Sequence, residues 1–245
     1  MLNQDELTQS AAEYKDEARK RFDAALTALL ALAWRWKGRI NGEFSFESDT
    51  ELYNEALRIC RELSDGCAED ARRRVAALIE DSLDYADEDA AWEEQEDAIE
   101  SYDMVGSHLL TLLDLWIAAA WANGYTQGYT KIAVLRYLGN PASSGVFGKV
   151  RPDLLKWGKG YDYNLINQLA LIGQGIIIGA ARYAEWVDAQ AKGALYYVRR
   201  RGSNYDCDIC ERNANIPIPI EVPFEQYHPR CVCYPEYFYE EMPGL

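Results

Sequence analysis

A mainly α-helical fold, a bundle of long helices closed by a small C-terminal α+β module, is what three features of the 245-residue sequence predict. Apolar residues recur at three- and four-residue steps through most of the chain up to Gly193. Beyond Gly193 the texture turns β-prone and proline-rich. Four cysteines and one histidine then crowd together near the carboxyl end.

The first helix is expected over Asp5 to Arg39. Leu7, Ala11, Tyr14, Ala18, Phe22, Ala25, Leu29 and Leu32 fall on one face, and Asn41-Gly42 carries turn chemistry that ends it. A second helix opens at Ser48 or Asp49, either of which can cap it, and continues through Leu52, Ala56, Ile59 and Leu63. Gly66 is expected to interrupt it, with a third helix from Cys67 to Tyr85. Cys60 and Cys67 sit in this helical context as free, packed thiols.

An acidic run follows, from Asp81 to Asp103, and no Lys or Arg occurs between Arg74 and Lys131. It reads as a solvated face, with a cation site or DNA mimicry as the sharper alternative. No glycine occupies the centre of a calcium loop, so an EF-hand is excluded. Met104 to Ala122 is strongly apolar but broken by His108 and Asp114, which fits a buried core helix better than a membrane span. His108 stands alone there and reads as a satisfied histidine. Tyr125 to Leu138 continues helically, and Gly139 to Gly148 is the clearest loop. The predicted organisation is a helical region over 1–140, a linker over 141–160, and a long helix with a Cys/His module over 161–245.

That long helix, Tyr161 to Gly193, is uncharged from Leu165 to Ala181 and contains Gly175-x3-Gly179, a step that admits a close neighbour. Asn164, Asn167, Gln168 and Gln174 argue for burial in a bundle and against a membrane span. Leu195 to Arg199 reads as a short strand. Ile216 to Pro223 alternates prolines with branched residues, so it is extended chain or a sheet edge. Tyr234 to Tyr239 is a last extended piece.

Composition narrows the function. The chain is 49% hydrophobic, which excludes a disordered protein, and 7 Trp with 17 Tyr supply large packing surfaces. A net charge of −15 argues against nonspecific coating of DNA or anionic membrane. Met1 to Ser10 is polar and acidic with no apolar signal core, which points to a reducing cytosol.

In such a compartment the C-terminal cluster reads as metal ligands. Cys207-x2-Cys210 is followed, after 17 intervening residues, by His228-x2-Cys231-x-Cys233. Zinc takes four N or S ligands in a tetrahedron, and two such knuckles supply them. The preferred set is Cys207, Cys210, His228 and Cys231, with Cys233 as a spare or as a substitute for Cys231. Two disulfides, Cys207–Cys210 and Cys231–Cys233, are the rival reading, and the missing signal core weighs against them. Structural zinc is favoured over catalytic zinc, because the deaminase signature is absent. The small module is therefore expected to be zinc-knuckle-like. Arg199, Arg200 and Arg201, just before the cysteines, read as a solvated strand end or, more weakly, as a nucleic-acid contact.

The order Tyr197-Val198-Arg199-Arg200, Cys207-Asp208-Ile209-Cys210, then His228-Pro229-Arg230-Cys231-Val232-Cys233 resembles the minor head proteins of tailed bacteriophages, the phage Mu F-like head morphogenesis family. That family carries a glycine-stepped helix, here Gly175-Ile176-Ile177-Ile178-Gly179, before its strand and cysteines. The resemblance covers roughly 162 to 235. The chain departs from the family's Arg-Thr-Glu-like stretch with Ala181-Arg182-Tyr183-Ala184-Glu185, and Tyr205-Asp206 precedes the first cysteine where some relatives have Trp and Asp.

The resemblance implies a virion component made in the bacterial host cytoplasm, located in the capsid interior or near the portal. It also implies portal or capsid proteins as partners, and packaged DNA as a further one. Self-association into a homo-oligomer is compatible with it. His108 and His228 are the only histidines and His228 is claimed by the metal, so no Ser-His-Asp or Cys-His arrangement is expected, and no enzyme. The alternatives are a zinc-dependent enzyme or toxin-like effector, and a nucleic-acid-binding zinc module.

Overall fold

The computed structural model describes residues 1–36, 50–80, 82–96, 99–103, 105–107, 109–110, 165–202, 207–226 and 231–241. Among them the protein is mainly helical with a small C-terminal sheet. Helix α1 spans Gln4–Trp36, α2 Thr50–Glu80, α3 Glu88–Glu93 and α4 Leu165–Ala191. Strand β1 (Tyr196–Arg200), the one-turn helix α5 (Asp208–Arg212), β2 (Pro217–Pro219) and β3 (Tyr234–Phe238) follow. No described helix is long and apolar enough to cross a membrane.

Asn3 caps α1. Its side-chain oxygen accepts the amide of Asp5 at 3.0 Å, satisfying one of the donors that a helix start leaves open. The face expected from the apolar spacing is the buried one: Leu7, Ala11, Tyr14, Ala18, Ala25, Leu29 and Leu32 are all buried. Helix α2 runs unbroken through Gly66, where the sequence predicts a break. The three- and four-residue pattern of Leu63, Cys67, Ala71 and Val75 carries the helix across it. That buried face outweighs the ~1 kcal/mol propensity cost of one glycine, and the Arg21 guanidinium lies where a Gly66 side chain would start, 2.7 Å from an added Cβ.

The packing divides differently from the sequence-order division at 141–160. One compact unit contains Met1–Glu17, Cys67–Ser101 and Ala170–Leu245, and a second contains Ala18–Gly66 and Tyr102–Leu169. In the second unit, Ser64 Oγ donates to the Tyr102 carbonyl at 3.0 Å. Residues 105–107 and 109–110 are helical, with Val105, Leu109 and Leu110 buried. His108, the helix expected over Tyr125 to Leu138, the loop from Gly139 and the 141–160 linker lie outside the described residues.

In the first unit α1 and α4 approach closely. A Cβ on Gly173 would fall 1.8 Å from the Tyr14 ring, and Gln174 donates to the Ala11 carbonyl at 3.3 Å. Of the predicted Gly175-x3-Gly179 step, Gly179 is closely approached, since its Cβ would meet the Gln95 side chain at 2.8 Å, while the approach to Tyr14 is made at Gly173, outside that step. Part of the acidic run is neutralised: Arg72 pairs with Glu88 at 3.0 Å and with Asp89 on α3.

Helix α4 ends in a Schellman motif. Ala194 N–H reaches the Ala189 carbonyl and Gly193 N–H the Gln190 carbonyl, both at 3.0 Å. Gly193 has φ 86°, a conformation a side chain disfavours, and this turn delivers the chain directly into β1. Strand β1 is the centre of an antiparallel three-stranded sheet of order β2-β1-β3. It pairs Val198 with Pro217 and Arg200 with Tyr234. Pro217 and Pro219 sit on an edge strand, where a missing N–H costs no sheet hydrogen bond.

Candidate metal centre

The sheet register builds half of the site. Continuing the pairing of Arg200 with Tyr234 by two residues sets Gly202 opposite Val232. The two backbones touch there, since a Cβ on Gly202 would lie 1.7 Å from the Val232 carbonyl oxygen. Val232 separates Cys231 from Cys233, and this segment is neither helix nor ladder strand. In extended chain, residues two apart share a face. Cys231 and Cys233 are accordingly both buried while Val232 is half-buried.

The other half comes from α5. Cys207 precedes it in extended conformation, with φ −142° and ψ 101°, and Cys210 lies in its single turn. Cys210 is buried and its sulfur points back to the β3 side. The sulfurs of Cys210, Cys231 and Cys233 all lie within 4.8 Å of one another. Cys210 Sγ and Cys231 Sγ are 3.8 Å apart. Two sulfurs bound to one tetrahedral ion at ~2.3 Å stand about 3.8 Å apart, so this pair is already at ligand spacing. The three-thiol cluster can hold a metal ion.

The spare-ligand expectation changes here. Cys233, ranked last from spacing, belongs to the close group, because the extended Cys231-Val232-Cys233 segment turns both thiols to one side. Cys207, a member of the preferred set, adjoins Cys210 and packs against the same cluster but lies outside the close three. His228 lies outside the described residues. None of the six cysteines is in a disulfide, so neither proposed bridge is formed.

The thiols differ in their electrostatics. The backbone amide of Cys210 and its thiol lower the Cys207 pKa, helped by the Ile209 amide, although the cap geometry is not that of a full side-chain hydrogen bond. Burial pushes Cys210 up to about 11, reinforced by its contact with the Cys207 thiol. Hydrogen bonding with Cys231, then burial, raises Cys233, while the Gly202 amide acts in the opposite sense. A divalent ion reverses this logic, because a coordinating thiol is deprotonated outright.

The surroundings are a small, well-packed core. Ala189, Ala194, Tyr197, Ile220, Phe224 and Tyr237 form one buried cluster with the three thiols. Tyr197 meets Phe224 and Tyr237 edge-on at 5.7 and 6.1 Å. Trp186 Nε1 donates to the Ile220 carbonyl at 2.8 Å and Gln226 Nε2 to the Cys231 carbonyl at 3.0 Å, which fixes the loops that carry the ligands.

The three arginines do not form a free basic stripe. Arg199 is buried, lies 4.1 Å from the Phe224 ring centroid and donates to the Glu225 carbonyl at 2.7 Å. Arg200 pairs with Glu236 and Arg201 with Glu211. Their alternation along β1 and the acidic partners far down the chain explain why spacing alone made them look available.

Sequence reading missed a buried polar cluster beside the thiols. Arg182 and Glu185, both on α4 and both nearly inaccessible, pair at 2.6 Å. Arg182 also donates to Gln4 Oε1, and Glu185 accepts the Leu2 amide at 3.0 Å. Burial raises the Glu185 carboxyl, and Arg182 opposes that rise. The signal in the sequence was an i, i+3 pair of opposite charges following the uncharged run from Leu165 to Ala181. No protein-family model, curated protein or solved structure matches this chain.

Proposed function

We propose that the protein is a structural minor head protein of a tailed bacteriophage, with a C-terminal module stapled by a structural zinc ion. The observation that carries this reading is the convergence of Cys210, Cys231 and Cys233 behind a long glycine-bearing helix and a short strand. That is the order in which the family resemblance places them. Zinc is the ion of choice for three thiolates, with Cys207 or His228 completing the tetrahedron. Burial of all three thiols supports a closed structural site over a catalytic one, which needs an open position. The module's buried cluster is small and includes the thiols themselves, and a bound metal supplies folding free energy directly.

On this reading the protein is made in the host cytoplasm and enters the capsid near the portal. Its partners are portal or capsid proteins, and packaged DNA is a lesser contact. The pairing of Arg200 and Arg201 with carboxylates weighs against a dedicated nucleic-acid module. The test has two arms. Elemental analysis of purified protein should find one zinc per chain. Co-expression with portal and capsid proteins of a tailed phage should yield procapsids that retain the protein in few copies. Procapsids that form without it and never incorporate it would overturn the assignment, whatever the zinc content.

A further inference from the structure

The N-terminal turn of the protein reaches the thiol cluster from outside. Gln4 Nε2 donates to the carbonyl of Val232, the residue between Cys231 and Cys233, at 3.4 Å. Gln4 Oε1 accepts from Arg182, whose other terminal nitrogen pairs with Glu185 at 2.6 Å. Glu185 closes the circuit by accepting the Leu2 amide at 3.0 Å, and the Leu2 side chain is buried. The Arg182 guanidinium also lies 5.9 Å from the ring centroid of Tyr234, the residue immediately after Cys233.

Every polar link here is between groups that would cost free energy if buried alone. An ion pair with both partners almost inaccessible is strongly destabilised when one partner is removed. The pair is therefore complete only with residues 2 and 4 in place. Val232 in turn holds its carbonyl toward Gln4 only while the Cys231-Val232-Cys233 segment keeps the conformation that gathers the sulfurs. Removing a group that orients metal ligands from behind typically costs about 10- to 100-fold in metal affinity.

We propose that Gln4, Arg182 and Glu185 are positioning residues for the metal centre, and that metal filling and docking of residues 1–4 are coupled. The inference rests on the metal reading above. Coupling of this kind is reciprocal: a metal that orders Val232 tightens the N-terminal turn, and a docked turn tightens the metal.

The experiment compares full-length wild-type protein with Gln4→Ala and, as a control on the same helix, Gln9→Ala. Gln9 donates to the exposed Glu13 side chain at 2.8 Å, away from the thiol segment. Zinc affinity is measured by competition with a chromophoric chelator, and exchange of the Leu2 amide is followed with and without zinc. Gln4→Ala is expected to weaken zinc binding about tenfold, within the range found for outer partners of metal ligands. Zinc should slow Leu2 exchange in wild type and in Gln9→Ala but not in Gln4→Ala. Wild-type zinc affinity in Gln4→Ala, or Leu2 exchange indifferent to zinc in wild type, overturns the coupling while leaving the metal centre intact. Failure of the wild-type protein to take up zinc at all overturns the metal reading and this inference together, so the zinc content of wild type tells the two failures apart.

Discussion

Cys60 in α2 and Cys210 in α5 are both buried, and burial pushes both thiols up to about 11. Their surroundings make them different groups. Cys60 is raised by burial alone and fills space on a helix face beside Ile59 and Leu63. Cys210 has Cys231 at 3.8 Å and Cys233 within the same 4.8 Å set. Burial by itself makes an inert thiol. Convergence of several makes a ligand set, since a cation then supplies what desolvation takes away.

Breaking the C-terminal cluster should therefore have the largest effect. With the thiol set holding zinc as proposed, Cys231→Ser is expected to reduce bound zinc at least tenfold and to expose the C-terminal module to limited proteolysis, with the helical signal in circular dichroism retained. Structural zinc sites contribute about 10 kcal/mol or more of apparent binding free energy, which is more than the module can replace by packing. Equal zinc content in wild type and variant would erase the contrast with Cys60.

The backbone contact beneath the cluster comes next. Gly202→Ala would place a methyl 1.7 Å from the Val232 carbonyl, and neither backbone can yield without disturbing the β1–β3 register. A loss of about 3 kcal/mol in urea unfolding is expected, together with weakened zinc binding. Normal stability would mean that the register near the thiols is looser than the sheet requires.

Asp188 offers a break in the same compact unit that should spare the metal. It accepts the amides of Asp84 and Tyr85 at 2.8 and 3.0 Å and pairs with Lys192 at 2.9 Å. Burial works against its charge, but the bonds from Lys192 and the two amides outweigh it and hold the carboxyl below its ordinary range. The folded pKa is depressed, so this stabilisation is present above the ordinary aspartate value and is lost as pH falls through the lower folded one. Asp188→Ala should cost about 1–3 kcal/mol near neutrality, show a shallower acid dependence of the melting temperature, and keep full zinc content. An unchanged acid profile would remove Asp188 as the anchor of this corner.

Cys60→Ala is the smallest change, with an expected cost of about 1 kcal/mol and no change in zinc. In wild type, Cys60 should resist alkylation at pH 8 while the protein is folded, since its thiolate forms only near pH 11. Rapid modification would show that α2 opens locally at that point.

The unequal legibility of these regions has a physical basis. The helices could be read because burial on a helix repeats every three to four residues, and Leu7 to Leu32 obeys that period with little interruption. The break expected at Gly66 was wrong because propensity is a weak term beside a buried face that continues through Leu63, Cys67, Ala71 and Val75. The Cys pairs were conspicuous by spacing, and their membership was not: whether Cys207 or Cys233 joins Cys210 and Cys231 depends on chain direction and register.

The amino-acid sequence alone determined the helical character, the change of texture after Gly193, the extended proline segment and the presence of a soft-ligand cluster, because each depends on residues near one another in the chain. Tertiary structure decided the grouping of Cys233 with Cys210 and Cys231, the pairing of Arg200 and Arg201 with acids, and the reach of Gln4 to Val232. Those depend on distances between segments up to 228 positions apart, which only the sheet register and helix packing can set.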